Sequence, residues 1–195
     1  LALKTIKPAS VRRDVLLTAM SGELFRMAKD SQEDADRLTY LRRADTIVVL
    51  VDGDRLAAPT LRTSAQADAA DILESLLDAD LVNRGCRVEI VFSKLDRITG
   101  AGQAALEFLS KTQEKFDRRF RARVPSIAFR RIAARPDASS ATQPLDDGLA
   151  EAIVSWTTLL PASQDANRPF PAPPLDAREF SKFGWRHFLR TRENR

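Results

Sequence analysis

Histidine and cysteine are almost missing from this sequence. Its 195 residues include one histidine, His187, and one cysteine, Cys86. One cysteine cannot form an internal disulfide, and one histidine with one cysteine is too few for a zinc site or a histidine-centred nucleophile. We therefore predict no metal-binding residues. A chain without disulfides suits a reducing compartment, so we expect a cytoplasmic location.

Long apolar runs and a strong charge of one sign are also missing. No apolar run approaches the roughly 20 residues that a membrane-spanning helix needs. The net charge of +4 is small and spread along the chain, so we expect no nucleic acid partner. The hydrophobic fraction of 44% and charged fraction of 30% are typical of a globular protein with one core.

Strand patterns and helix patterns alternate along the chain after an initial hairpin. Strands are predicted at 1–6, 14–18, 45–51, 87–92 and 125–132. Helices are predicted at 31–43, 59–81, 101–121 and 149–160. In the third helix, one stripe of residues is predicted to be buried: Ala105, Leu109, Thr112, Phe116 and Phe120. This alternation predicts an α/β fold with a mostly parallel sheet covered on both faces.

Polar turns follow the predicted strands at 52–54, 93–96 and 133–135. Ligands of parallel sheets bind at the carboxyl ends of the strands, so these turns are expected to share one edge of the sheet. Asp52 and Asp54 flank a glycine and could bind magnesium. We favour the simpler interpretation of a turn whose acids cap the next segment.

Three short motifs occur in a fixed order along these strands. They are 19–23 (Ala-Met-Ser-Gly-Glu), 93–96 (Ser-Lys-Leu-Asp) and 133–135 (Ala-Ala-Arg). The motifs resemble the switch II, Asn/Thr-Lys-x-Asp and Ser-Ala-Lys elements of Ras-like P-loop GTPases. Within that class, the chain resembles the bacterial double-GTPase proteins of conflict systems, over about residues 1–160. The resemblance implies a Ras-like three-layer sandwich in which the hairpin supplies one antiparallel edge strand.

The resemblance implies a guanine site built from the second and third motifs. Asp96 would accept hydrogen bonds from N1 and N2 of guanine, while the aliphatic stem of Lys94 lies across the ring. Adenine offers no matching pair of donors, so it would be rejected. Ser93 would tie neighbouring loops together, and the Ala134 amide would meet the guanine O6, with Arg135 beside it. Taken alone, the second motif is equally compatible with a solvated loop at a strand end.

The resemblance implies that the first motif contacts the γ-phosphate. The Gly22 amide would sense this phosphate, and Glu23 stands where the family has its water-orienting residue, which makes Glu23 the candidate catalytic residue. Ala19 replaces the aspartate that helps to hold magnesium in the family. We therefore expect weak or slow GTP hydrolysis.

The phosphate-binding loop Gly-x-x-x-x-Gly-Lys-Ser/Thr does not occur in the sequence, which contains seven glycines. In the family this loop lies ahead of the hairpin. Either the sequence begins inside the domain, without the first strand, phosphate loop and first helix, or the protein is a pseudo-GTPase. An opening directly in a strand favours the first explanation. GTP or GDP and Mg²⁺ are expected as ligands only if the loop precedes Leu1.

Composition divides the chain into three parts. We predict a GTPase-like domain at 1–162, a proline-rich linker at 163–177 and a basic-aromatic tail at 178–195. The tail is expected to fold back on the domain or bind a protein partner, and a membrane is the less favoured target.

Three functions are compatible with these patterns. The first is a guanine-nucleotide-binding molecular switch or assembly factor. The second is a nucleotide-free scaffold that binds protein partners. The third is an enzyme that acts on another phosphorylated small molecule.

Overall fold

The described residues form two separate sheets. The computed structural model describes residues 2–3, 13–14, 17–19, 22–30, 38–83, 85–134 and 148–158. An antiparallel pair is formed by β1 (Ala2–Leu3) and β2 (Arg13–Asp14). A parallel sheet of order β3-β4-β5 is formed by Thr46–Val51, Arg87–Phe92 and Ser126–Arg131. The α/β class is therefore confirmed. Within the described residues the antiparallel pair is not hydrogen-bonded to the parallel sheet, so the predicted edge strand is not shown.

Six α-helices occur in the described part of the chain. They are α1 (Gly22–Asp30), α2 (Gly53–Ala57), α3 (Arg62–Asp78), α4 (Leu95–Gly100), α5 (Gln103–Phe120) and α6 (Leu149–Thr157). The sequence predicted α3, α5 and α6, with ends displaced by up to three residues. The predicted helix at 31–43 is wrong where it can be compared, because Thr39–Arg43 forms a 3-10 helix. Its remaining residues, 31–37, lie outside the described residues.

One face of the parallel sheet packs against α3 and α5. Alternate side chains of β4, namely Val88, Ile90 and Phe92, are fully buried in this core. All five residues predicted as the buried stripe of α5 are buried in the structure: Ala105, Leu109, Thr112, Phe116 and Phe120. The period of 3.6 residues therefore identified the inward face of this helix.

The opposite face of the sheet packs against α6. Val91 of β4 is buried there with Ile132 and with Ala152 of α6. Helices therefore lie on both faces, as expected for three layers. On the neighbouring strand the same face is open, since Val48 is 36% exposed and Leu50 is 67% exposed.

The strand register places the carboxyl ends of the parallel strands together. Val51, Phe92 and Arg131 are neighbours in the last step of the ladder. The turns that follow these residues therefore meet at one edge, which we call the rim. The predicted linker at 163–177 and tail at 178–195 lie outside the described residues. Among the described helices, none has the length and apolar character needed to cross a membrane.

Candidate functional site

Backbone hydrogen bonds hold the turn after β4 between the ends of its two neighbouring strands. The Val51 carbonyl accepts hydrogen bonds from the Ser93 amide at 3.0 Å and from Ser93 Oγ at 3.2 Å. On the other side, the Leu95 amide donates to the Ile132 carbonyl at 3.0 Å. Ser93 therefore joins the turn after β4 to the end of β3.

Asp96 lies in the first turn of α4, directly beyond this held segment. An acidic residue is favourable there because the amino end of a helix carries a partial positive charge. The side chain is partly exposed. In the described part of the chain it makes no hydrogen bond or ion pair. A carboxylate at the rim is thus available to accept hydrogen bonds from a ligand.

Lys94 lies in a left-handed backbone conformation, with φ of 51°, between β4 and α4. Its Nζ lies 3.0 Å from Asp52 Oδ1 and 2.5 Å from Asp54 Oδ2. Hydrogen bonds to Asp54 and then to Asp52 raise the pKa of the Lys94 ammonium above that of an ordinary lysine. The ammonium is therefore bound to the turn that follows β3.

The turn at 52–54 begins α2. Asp52 is its N-cap, because the Asp52 side chain accepts a hydrogen bond from the Asp54 amide at 3.1 Å. The interpretation of this segment as a capping turn is confirmed. Gly53 packs directly on the neighbouring turn: a Cβ atom at this position would lie 2.0 Å from the Ser93 carbonyl oxygen.

The third turn of the rim follows β5. Ala133 is fully buried, whereas Ala134 is exposed at the edge. Ala134 follows the Leu95–Ile132 hydrogen bond by two residues, and its contact with a base stays a prediction. Arg135 lies outside the described residues.

The described residues of the predicted switch II lie at and before the start of α1. Gly22 is the first residue of α1, and this helix packs against α3. A Cβ atom on Gly22 would lie 3.1 Å from Ile72 Cδ1 of α3. Glu23 and Ala19 are exposed. No hydrogen bond or ion pair joins Glu23 to a rim residue in the described part of the chain.

The described residues do not fit a magnesium ion. Ala19 carries only a methyl group and can supply no side-chain oxygen ligand. The carboxylates of Asp52 and Asp54 are engaged by Lys94. No group of three or more possible metal ligands occurs among the described residues.

A buried polar cluster, which the sequence analysis missed, joins α6 to β4. The Glu89 side chain is completely buried. It accepts hydrogen bonds from Arg130 Nε at 2.8 Å, Trp156 Nε1 at 2.8 Å and Ser155 Oγ at 2.7 Å. Burial alone would raise the pKa of this carboxyl group, but these hydrogen bonds outweigh burial and lower it. The available signal was a glutamate inside an otherwise apolar strand.

Two surface depressions occur outside the rim turns, and the second includes Arg131 at the end of β5. One, of about 330 Å³, runs along α5, and the other, of about 380 Å³, lies beside β5 and the start of α6. None of the rim residues named above lines either depression.

A parallel sheet with helices on both faces and a polar rim at the strand ends is typical of α/β domains that bind their ligands at this edge. The family model described as Double-GTPase 2 matches residues 1–157. The chain belongs to this family, and its domain is a GTPase-related domain of the double-GTPase type. Neither the curated proteins nor the solved structures contain a significant match. Family membership supports a GTP-binding domain.

Proposed function

We propose that this domain binds guanine nucleotides at the rim and acts as a molecular switch or assembly factor. The observation that carries the proposal is Asp96, a carboxylate without a described partner on a turn fixed to both neighbouring strands. A fixed acceptor can take hydrogen bonds from N1 and N2 of guanine at little cost in ordering. Adenine presents an acceptor at N1, so it would leave the carboxylate unpaired.

Other rim residues would complete the contacts to the base. The stem of Lys94 would lie across the ring, because its ammonium is turned away to Asp52 and Asp54. The Ala134 amide would donate to O6, and Arg135 would flank it. Ser93 supports this arrangement through its hydrogen bonds to the Val51 carbonyl.

Hydrolysis of GTP by this chain would be weak or slow. Gly22 would sense the γ-phosphate through its amide, and Glu23 would be the residue nearest an attacking water. Ala19 supplies no carboxylate to help neutralise the phosphate charge. A slow reaction would keep the protein in its GTP-bound state for long periods, as a switch or assembly factor requires.

Calorimetry on the full chain with GTP, GDP and ATP tests the proposal. We expect binding of both guanine nucleotides and none of ATP. Two hydrogen bonds to a charged group contribute at least about 3 kcal/mol together, so Asp96→Ala should weaken GDP binding by about 100-fold or more. The control is Asp71→Ala, which removes an exposed carboxylate from α3. Equal GDP affinity in the Asp96→Ala and Asp71→Ala variants would refute the proposal.

A nucleotide-free scaffold is the second candidate. It is favoured by Ala19 and by the lack of a phosphate-binding glycine loop in these 195 residues. In that case a folded chain would bind no nucleotide, and its surfaces would serve protein partners. Binding of ATP without GTP would instead support an enzyme for another phosphorylated molecule.

A further inference from the structure

The Lys94 ammonium lies between two carboxylates of the turn after β3. We call Asp52 and Asp54 the carboxylate clamp. The Lys94 side chain is 49% exposed, and those of the clamp are 42% and 48% exposed. Exposed ion pairs are individually weak because water competes with them. Two acceptors on one short turn nevertheless restrict where a single ammonium can lie.

The backbone reinforces this pairing. A Cβ atom on Gly53 would lie 2.0 Å from the Ser93 carbonyl oxygen and 2.8 Å from that of Lys94. The two turns therefore pack in direct contact, which a larger residue would prevent. Lys94 itself has a φ of 51°. A non-glycine residue keeps such a conformation only where its surroundings hold it.

Charge at the clamp is balanced. Arg97 Nε lies 3.6 Å from Asp54 Oδ1, so two basic side chains face two acidic ones. The positive charge of Lys94 is thus directed to the clamp, and its apolar stem remains for contact with a flat ligand.

We propose that Asp52 and Asp54 are positioning residues of the guanine site, which fix Lys94 so that its stem forms one wall for the base. This inference rests on the proposed function. It assigns the turn after β3 a part in nucleotide affinity, although neither carboxylate touches the nucleotide. Ordering a long side chain before binding removes part of the entropy cost at the moment of binding.

A double-mutant cycle measures this coupling through GDP affinity. Asp54→Asn and Asp52→Asn are each made in the wild-type chain and in the Lys94→Met variant, which keeps an apolar side chain. Asparagine is also a good N-cap, so Asp52→Asn preserves the start of α2. We expect each replacement to weaken GDP binding by about 5- to 10-fold in the wild-type chain, and by less than about twofold with Lys94→Met.

A second measurement needs no nucleotide. The Lys94 ammonium is titrated by NMR, with its signal assigned by its loss in Lys94→Met. We expect a pKa above that of an ordinary lysine, falling towards the ordinary value in Asp54→Asn. The control is Asp117→Asn, because Asp117 pairs with Arg121 near the far end of α5. This control should change neither the Lys94 pKa nor the GDP affinity.

The outcomes separate this inference from the function on which it rests. A wild-type chain that binds no guanine nucleotide overturns both. Guanine binding that is unchanged by Asp52→Asn and Asp54→Asn overturns the positioning role alone. Equal losses with and without Lys94→Met also overturn it, because the clamp would then act by general stability. A Lys94 pKa that is unaffected by Asp54→Asn overturns the clamp itself.

Discussion

Replacing Glu89 by alanine should loosen α6 from the sheet and destabilise the domain. The carboxylate is fully buried, and its two oxygens accept hydrogen bonds from Arg130, Ser155 and Trp156. Alanine leaves these three donors without their acceptor inside the protein. Since Ser155 and Trp156 belong to α6, the contact between this helix and β4 is the one that weakens.

The size of the effect follows from the partners that remain. Removing one member of a buried ion pair costs about 3–5 kcal/mol. The Arg130 side chain is 24% exposed, so water can partly replace the lost carboxylate. We therefore expect the lower end of this range, about 3 kcal/mol. A loss of this size is a large share of the roughly 5–15 kcal/mol that stabilises a domain.

Glu89→Gln should cost less than alanine. The amide oxygen can remain towards Arg130 Nε and Trp156 Nε1, while the amide NH₂ donates to Ser155 Oγ, which can accept it beside the hydrogen bond from Arg87. The NH₂ can no longer accept the long hydrogen bond from Arg130 Nη2. What is lost is the negative charge that strengthens these bonds. We expect the free energy of unfolding to fall by roughly 1–2 kcal/mol. This is about the difference between a hydrogen bond to a charged group and one between neutral groups.

Guanidinium denaturation followed by tryptophan fluorescence measures these values. The chain has two tryptophans, so a Trp185→Phe background leaves Trp156 as the reporter of α6. The matched control is Glu107→Gln, which changes an exposed glutamate of α5 and should alter stability by less than about 0.5 kcal/mol. A cost below about 1 kcal/mol for Glu89→Ala would refute the reasoning, since that is no more than one ordinary hydrogen bond.

The pH dependence of the same measurement has a defined sign. The folded-state pKa of Glu89 lies below its ordinary value of 4.5. Its ionised form therefore stabilises the protein above the unfolded pKa, and this stabilisation is lost as the pH falls through the folded pKa. The stability difference between wild type and Glu89→Gln should be constant near pH 7 and shrink below about pH 5. A difference that grows in acid would contradict the assignment.

Three smaller predictions test the packing around the sheet. Val49→Ala should lower the free energy of unfolding by about 2 kcal/mol, because Val49 is 4% exposed. Leu50→Ala should lower it by less than about 0.5 kcal/mol, because Leu50 is 67% exposed. Equal losses in denaturation would contradict the exposure of this sheet face. Gly53→Ala should lower the free energy of unfolding by about 1–3 kcal/mol, because the added Cβ clashes with the Ser93 carbonyl oxygen. Gly100→Ala should not, because the space around Gly100 is open, and similar melting temperatures for the two variants would contradict the Gly53 contact. Burial raises the pKa of Cys86 to about 12, so a thiol reagent at pH 8 should label it only after unfolding; rapid labelling of the native protein would contradict its burial.

The regular elements of the core could be predicted because their signal is long. The β-branched run at 45–51 identified β3 to within a residue. The inward face of α5 was identified over 18 residues, enough for the helical period to be unambiguous. By contrast, α2 and α4 contain five and six residues, which is too short for a periodic pattern. They were interpreted as turns because their first residues lie in the polar segments that directly follow the ends of β3 and β4.

The candidate site was only partly accessible to sequence reasoning. Because ligands of parallel sheets bind at the carboxyl ends of the strands, the sequence predicted that the turns at 52–54, 93–96 and 133–135 share one edge. The register of the parallel sheet places the strand ends before these turns side by side. The pairing of Lys94 with Asp52 and Asp54 could not be predicted. The pairing depends on the left-handed backbone of Lys94 and on the close approach of Gly53 to the Ser93 carbonyl. The amino-acid type at 94 does not predict a left-handed backbone, and a short Asp-Gly-Asp turn does not predict which neighbour it will contact.

Exchange of base specificity tests the central claim most directly. Xanthine carries a carbonyl where guanine carries its 2-amino group, so a carboxylate at position 96 should repel it, while an asparagine amide can donate to it. We predict that wild type binds GDP and not xanthosine diphosphate. Asp96→Asn should lose GDP affinity and gain xanthosine diphosphate affinity, each by about 10-fold or more, as expected for exchanging one polar partner. An Asp96→Asn chain that is folded and keeps the wild-type preference would show that this carboxylate does not contact the base.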